Sequence, residues 1–135
     1  MRITTVLSTL LCAGMLSCAS HAYAGSITEG QQSECMASWY GPGFDGRDMA
    51  NGQPYNSNHP TRVAHSTLPM GTIVEVTNLN NGESVIAEVT DRGPNGRGGF
   101  CVDATREIAK DLGFYVNEHA GEAPVRVEVL VLPSG

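Results

Sequence analysis

The chain has 135 residues, the length of a single domain, and carries 8 basic against 14 acidic residues, a formal net charge of −6. An acidic surface repels phosphate backbones and anionic lipid headgroups, so we predict no nucleic-acid partner and no adhesion to an anionic membrane. Neutral and mixed-charge glycans stay compatible with this composition.

The first 24 residues have the anatomy of a secretory signal peptide. Arg2 is followed by an apolar run over 6–19 and by the small-x-small pattern Ala22-Tyr23-Ala24. The run is too short to span a membrane. We therefore expect cleavage after Ala24, a periplasmic or secreted protein and no membrane span. The alternatives are a lipoprotein signal that ends at Cys18 and an uncleaved anchor.

The cysteine count predicts one disulfide. Removal of the leader takes away Cys12 and Cys18 and leaves Cys35 and Cys101 in a domain with a net charge of −7. Two cysteines in an exported domain favour a single bond, worth roughly 4 kcal/mol for a loop of about 66 residues. Two free buried thiols are the alternative. A zinc site would also need two histidines, and none of the spacings fits, so we predict no metal and no cofactor.

The first half of the domain is predicted to mix short strands with loops. Residues 25–34 are polar and aperiodic, which predicts a flexible lead-in before a domain over 35–133. We predict a strand over Met36–Tyr40, a glycine-rich surface loop over Gly41–Gly52 and a second strand over Thr61–His65.

A β-hairpin is the clearest local signal. Thr72–Thr77 and Ser84–Thr90 are rich in β-branched residues, and Asn80-Asn81-Gly82 lies between them. Asn-Gly is the strongest short-range hairpin turn. Asp91-Arg92-Gly93-Pro94 then ends the second strand.

The C-terminal part predicts a strand over Phe100–Asp103, a short helix and a last strand. Thr105 is a suitable helix N-cap and Gly113 a suitable stop. Pro124–Leu132 alternates between valine and other residues, as a half-buried strand does. Several short strands with one helix predict an all-β fold closed into a small barrel.

Two carboxylates, Asp91 and Asp103, are placed for chemistry because each lies where a predicted strand ends. Each also has a structural interpretation, as a turn cap and as a helix-entry cap. His65 follows a strand and is either a hydrogen-bonded structural group or a catalytic one. Trp39 and Tyr40 open the glycine-rich loop, where aromatic faces suit sugar rings, although aromatic side chains in small barrels usually belong to the core.

Six segments together resemble the rare lipoprotein A family in order and spacing. They are ASWYG (37–41), ANGQPY (50–55), AHSTLP (64–69), VTNLNNG (76–82), DRGP (91–94) and VD (102–103). The resemblance covers about residues 36–131 and implies a six-stranded double-psi β-barrel with one or two short helices, distantly similar to expansins.

The resemblance also implies a peptidoglycan lytic transglycosylase or a glycan-binding relative, with peptidoglycan glycan strands as partner and a monomeric state. Such an enzyme cleaves the β-1,4 bond between N-acetylmuramic acid and N-acetylglucosamine. A carboxylic acid protonates the leaving oxygen and an oxocarbenium-like state forms. The same group then takes the proton of the sugar's 6-hydroxyl, which gives a 1,6-anhydro product.

Carried over residue by residue, the resemblance makes Asp91 the catalytic aspartate and His65 a hydrogen-bond partner in the groove. Asp103 aligns with the acidic residue that expansin-like barrels place beside the groove. The substrate-binding residues are expected to be Trp39, Tyr40, Asn51, Gln53, Tyr55 and Arg92.

The chain departs from the family at two positions, where Gln53 replaces a usual glutamate and Asn56 a common aspartate. A glutamine forms hydrogen bonds but donates no proton to a leaving group at useful pH. This leaves two alternatives open: a non-catalytic wall-glycan binder, as expansins are, and a secreted barrel that binds another protein. A Cys35–Cys101 bond, if formed, would tie together two walls of the site.

Overall fold

The computed structural model describes residues 25–134; the predicted leader, including the Cys18 alternative, lies outside the described residues. Six strands, one α-helix and one 3-10 turn make up the described chain. They are β1 (Gln32–Trp39), β2 (Arg62–His65), β3 (Ile73–Asn78), β4 (Ser84–Arg92), the 3-10 turn (Arg97–Gly99), β5 (Phe100–Ala104), α1 (Arg106–Asp111) and β6 (Glu122–Val131).

The strands close into a barrel in the order β1-β5-β2-β4-β3-β6. The pairs β1–β5 and β2–β4 are parallel, and the other four neighbouring pairs are antiparallel. Closure leaves no unpaired strand edge. The all-β prediction, a six-stranded double-psi barrel with short helices, is confirmed.

Alternating side chains fill the interior of the barrel. In β6 the buried face consists of Ala123, Val125, Val127 and Val129, and the intervening residues are at least partly exposed. This is the period of two that the sequence predicted for the last strand. The same alternation in β1 buries Ala37 and Trp39 and turns Ser38 away from the core.

β1 begins at Gln32, three residues before the domain start predicted at Cys35. Residues 32–34 are exposed, yet their backbone pairs with β6, with Gln32 opposite Glu128. A strand segment that buries neither face shows no hydrophobic periodicity, so its sequence resembles a flexible lead-in. Tertiary pairing alone makes it a strand.

The hairpin prediction is confirmed, but its connection is longer than a two-residue turn. Residues 79–83 join β3 to β4, and Gly82 takes a positive φ of 78°. The buried Asn78 organises this turn through its side chain: Oδ1 accepts from the backbone N–H of Asn80 at 2.9 Å, and Nδ2 donates to the backbone carbonyl of Leu112 at 2.8 Å. The hairpin is thereby tied to the end of α1.

α1 begins as predicted, because the Thr105 hydroxyl accepts from the backbone N–H of Ile108 at 3.2 Å. Its last helical residue is Asp111, and Gly113 follows with φ 77°. No helix within residues 25–134 is long and apolar enough to cross a membrane.

Candidate active site

A cavity of about 330 Å³ opens where β1, β4 and β5 end. β2 pairs with β4 on one side and with β5 on the other, and Ala64 lies opposite both predicted carboxylates, Asp91 on β4 and Asp103 on β5. The cavity is lined by Tyr40, Phe44, Arg47, Asp48, Met49, Tyr55, Asp91, Arg92 and Asp103. Five of the nine residues predicted for catalysis or substrate binding therefore line one cavity.

Asp91 is held by three hydrogen bonds. Its Oδ1 accepts from the backbone N–H groups of Ala50 and Arg92, both at 2.8 Å, and its Oδ2 accepts from the Tyr40 hydroxyl at 2.7 Å. The contact with Arg92 agrees with the turn-cap interpretation. The contacts with Ala50 and Tyr40 connect Asp91 to the glycine-rich loop and to the end of β1, so the carboxylate has a single orientation in the cavity wall.

Asp103 has a different environment. The Ser38 hydroxyl donates to its Oδ1 at 2.5 Å. Burial raises the pKa of Asp103 above its ordinary value of 3.8; the Ser38 hydrogen bond lowers it, and the nearby negative charge of Asp91 raises it. Asp103 does not cap the helix, because Thr105 does. A half-buried carboxyl group with a raised pKa is suited to donate a proton.

Aromatic side chains form one wall of the cavity. The rings of Tyr40 and Tyr55 lie 4.2 Å apart between centroids, and Phe44 packs edge-on against Tyr40 at 5.8 Å. The guanidinium of Arg47 lies 5.3 Å from the centre of the Phe44 ring. Burial raises the pKa values of both tyrosines, and so does a nearby carboxylate, Asp91 for Tyr40 and Asp45 for Tyr55; both phenols therefore stay neutral donors.

His65 is buried and does not line the cavity. Its Nδ1 accepts from the backbone N–H groups of Thr67 at 3.1 Å and Leu68 at 3.0 Å. Burial, with a smaller contribution from the Arg92 guanidinium, lowers the pKa of His65 to about 4, so the ring is neutral at pH 7. Arg92 donates to the carbonyl oxygens of His65 and Leu68 at 2.9 and 2.7 Å, which fixes the loop beside Asp91.

Three predicted substrate-binding residues lie outside this cavity. Gln53 is exposed in the turn after the glycine-rich loop, and Asn51 accepts its backbone N–H at 3.0 Å. Trp39 is buried, packs against Tyr115 at 5.3 Å and donates to the carbonyl of Ala120. Because Gln53 does not line the cavity, its replacement of a glutamate leaves the carboxylate pair there intact.

A second cavity, of about 320 Å³, adjoins the first along the end of β1. The two share Tyr40, and Ser38 of the second cavity contacts Asp103 of the first. Its other lining residues come from the segments 39–42 and 118–122. Together the two adjoining cavities form a groove along the end of β1.

The predicted disulfide is confirmed: Cys35 on β1 is bonded to Cys101 on β5. It joins the two strands that carry Ser38 and Asp103. Within residues 25–134 no cluster of three or more His, Cys, Asp or Glu side chains forms a metal site. The groove carries the carboxyl groups of Asp91 and Asp103 with the hydroxyl groups of Ser38 and Tyr40 bonded to them.

Sequence reasoning did not select Ser38, Phe44, Arg47, Asp48 or Met49. For Ser38 a signal existed, since a strand residue two positions before Tyr40 points to the same side. The four others belong to the glycine-rich loop or its end, whose path no periodicity describes.

Comparison with known proteins identifies the family of the chain. The profile of the lytic transglycolase family matches residues 32–127. A protein of Campylobacter jejuni called endolytic peptidoglycan transglycosylase RlpA is 44% identical over 110 residues, which cover 80% of this chain and 38% of that protein. A Synechocystis protein called probable endolytic peptidoglycan transglycosylase RlpA is 51% identical over 80 residues, covering 59% of this chain and 24% of its own. The chain thus spans less than two fifths of these relatives' length.

Two solved structures share the fold. The Streptomyces papain inhibitor has a TM-score of 0.58 at 19% identity and covers 78% of this chain and 100% of its own. An expansin of Clavibacter michiganensis has a TM-score of 0.54 at 23% identity and covers 78% of this chain and 53% of its own. At such identities the likeness establishes the barrel alone. The family profile carries the assignment, which confirms the resemblance to rare lipoprotein A: the chain belongs to the lytic transglycolase family.

Proposed function

We propose that the protein is a peptidoglycan lytic transglycosylase that cleaves the β-1,4 bond between N-acetylmuramic acid and N-acetylglucosamine and leaves a 1,6-anhydro end. The observation that carries this proposal is the pair Asp91 and Asp103 in one aromatic-walled groove, each held in a different environment. The names of the RlpA relatives support the substrate class. Because peptidoglycan lies outside the cytoplasm, the proposal includes export through the predicted leader and a periplasmic or secreted location.

The two carboxyl groups are given different roles. Asp103 has a raised pKa and a single side-chain partner, so it protonates the leaving glycosidic oxygen and then accepts the proton of the 6-hydroxyl. Asp91 acts as an acceptor in all three of its contacts, so its carboxylate stabilises the positive charge that develops on the sugar ring. This division moves the acid–base step to Asp103 and so departs from the resemblance, which implied Asp91 as the catalytic aspartate.

The shape of the groove suits a polymer. Its two cavities adjoin at Tyr40, beside the carboxylates, so a bond between two sugars of a strand can lie over the acids while the strand continues on both sides. The aromatic wall of Tyr40, Tyr55 and Phe44 offers apolar faces of the kind on which sugar rings stack. Asn51 and Gln53 line neither cavity and have no contact with the bound sugar in this proposal, whereas Trp39 lines the second cavity.

The test is digestion of purified sacculi, with the released fragments analysed by mass spectrometry for 1,6-anhydromuropeptides. Wild type is expected to release them, and Asp103→Asn and Asp91→Asn to lower the rate by roughly 100-fold or more, because each amide keeps the size of the side chain but removes its acid–base or charge function. Asp111→Asn, at the exposed end of α1, is the matched control and should keep wild-type activity.

Each result has a definite meaning. Release of fragments without anhydro ends identifies a hydrolase and contradicts the proposal. Sacculus binding with no released fragments identifies the non-catalytic binder. Full activity of Asp103→Asn, with loss in Asp91→Asn, reverses the roles of the two acids.

A further inference from the structure

The end of β1 places two hydroxyl groups on the two carboxylates. Ser38 and Tyr40 are two positions apart, so their side chains leave the same side of the extended chain. The Ser38 hydroxyl lies 2.5 Å from Oδ1 of Asp103, and the Tyr40 hydroxyl lies 2.7 Å from Oδ2 of Asp91. One short segment thus supplies one donor to each acid.

We propose that Ser38 and Tyr40 are positioning residues that orient Asp103 and Asp91 for the reaction, an inference that rests on the function proposed above. Ser38 is the one side-chain hydrogen-bond partner of Asp103 within residues 25–134, and it binds Oδ1. Oδ2 is left to face the substrate. Tyr40 binds the Asp91 oxygen that the backbone N–H groups of Ala50 and Arg92 do not hold.

Strand register fixes the Ser38 contact. Ser38 lies opposite Asp103 in the parallel pairing of β1 with β5, after a register shift between Met36 and Ala37. The Cys35–Cys101 disulfide joins the same two strands just before this point. A hydroxyl whose backbone is held on both sides loses little freedom when it binds, which favours a single orientation of the carboxyl group.

The effect of Ser38 on Asp103 can be measured as a change in the pKa of the Asp103 carboxyl group. The other titratable or charged groups that line the cavity are Tyr40, Arg47, Asp48, Tyr55, Asp91 and Arg92, and β2 contributes the neutral His65 from the neighbouring strand. Among the causes that shift the pKa of Asp103, the Ser38 hydroxyl is the one that lowers it, since a donor favours the ionised form. Removing that hydroxyl must therefore raise the pKa of Asp103.

The experiment for Ser38 follows the carboxyl carbon of Asp103 by ¹³C NMR as a function of pH in the protein without its predicted leader. Ser38→Ala is expected to raise the midpoint by about one pH unit, the size of one hydrogen bond to a charged group. Ser38→Thr keeps a hydroxyl and should restore the wild-type midpoint. Ser33→Ala, an exposed serine on the same strand, is the matched control and should change nothing.

In the sacculus assay the pH dependence of the rate should shift in the same variants as the NMR midpoint does. Activity needs protonated Asp103, so its rate falls as pH rises through the pKa of that group, and Ser38→Ala should move this alkaline limb to higher pH while Ser38→Thr leaves it in place. A purely structural role for Ser38 would lower the rate at all pH values without moving the limb.

The experiment for Tyr40 uses Tyr40→Phe, which keeps the ring beside Tyr55 and removes the donor to Asp91. We expect kcat to fall by roughly 10- to 100-fold with KM little changed, because misplacing a catalytic group affects the transition state more than binding. The ¹³C resonance of the Asp91 carboxyl carbon should move as well. Tyr115→Phe makes the same chemical change at a residue that packs against Trp39 and lines neither cavity, and it should change neither kcat nor the Asp91 resonance.

The NMR measurements separate the failure of this inference from the failure of the proposed function. If wild type releases no anhydromuropeptides, the function fails, and the carboxyl resonances still decide whether the hydroxyls act on the acids. If Ser38→Ala leaves the Asp103 titration unchanged, or Tyr40→Phe leaves the Asp91 resonance unchanged, the positioning role of that residue is overturned whatever the activity.

Discussion

At the scale of single residues, the site shows how one residue type takes different properties from its surroundings. Asp91 and Asp103 are chemically identical side chains that both lie opposite Ala64 of β2. Backbone N–H groups hold the first, whereas burial and a neighbouring carboxylate raise the pKa of the second. Environments that differ in this way allow two equal carboxyl groups to perform separate steps.

His65 gives the prediction that belongs to this scale. Its Nδ1 accepts two backbone N–H groups, so His65→Ala removes the acceptor of the buried Leu68 N–H and of the part-buried Thr67 N–H. We expect a loss of about 2–4 kcal/mol in the free energy of unfolding, measured by urea titration at pH 7. His65→Asn supplies an oxygen acceptor at a similar position and should recover part of the loss. A loss below 0.5 kcal/mol in the alanine variant, about the size of a neutral surface substitution, would contradict the structural role.

The same residue predicts a pH dependence. The pKa of His65 is 6.5 in an ordinary environment and about 4 in the folded protein, so the unfolded chain binds more protons between these values. Stability therefore falls as the pH decreases from about 6.5 to about 4, by up to roughly 3 kcal/mol. The variant His65→Asn lacks this contribution, so the stability difference between the two proteins should shrink over that range. A constant difference from pH 7 to pH 4 would show that the histidine does not titrate in this way.

At the scale of elements, β1 connects the fold to the site. It pairs with β5 on one side and with β6 on the other, and its end carries Ser38 and then Tyr40. The disulfide reinforces the pairing with β5, which is short and parallel. A displaced β1 would move both hydroxyl groups away from both carboxylates at once.

The prediction at this scale concerns the disulfide. The double variant Cys35→Ser, Cys101→Ser should lose about 4 kcal/mol in the free energy of unfolding, because the bond closes a loop with a sequence separation of 66 residues. Equilibrium urea titration of the oxidised protein and the variant measures the loss. A difference under 1 kcal/mol would mean that the unfolded chain gains little freedom when the bond is absent. Reduced wild type is the control, since it should match the variant.

At the scale of the whole molecule, closure of the barrel makes the strands interdependent. β6, the last strand, pairs with both β1 and β3, so the chain is joined end to end across the sheet. α1 packs its buried residues against the same core and is tied to the hairpin through Asn78. No strand of the described chain can detach from the barrel without breaking its hydrogen bonds to two neighbouring strands.

This arrangement predicts a single cooperative unfolding transition. Trp39 is the one tryptophan of the chain and belongs to the core, so its fluorescence reports on β1 and its packing against Tyr115. Far-ultraviolet circular dichroism reports on the strands as a whole. The two urea curves should coincide in midpoint and slope. An earlier fluorescence transition would show that β1 and the site separate from the barrel before the rest unfolds.

The sequence by itself determined the parts of this protein that depend on local pattern. The alternating valines of β6, the hairpin around Asn81-Gly82 and the Thr105 cap are all confirmed, because backbone geometry imposes their spacing. The motif series also indicated the family and the barrel, and the cysteine count predicted the disulfide.

Tertiary structure alone decided how those parts meet. That Asp91 and Asp103 line the cavity, with Ser38 and Tyr40 bonded to them, depends on which strands pair and in which register. The burial of His65 outside the cavity and the pairing of residues 32–34 also depend on it. The physical reason is that pKa values, burial and hydrogen-bond partners arise from residues distant in the chain, whereas periodicity and turn chemistry arise from neighbours.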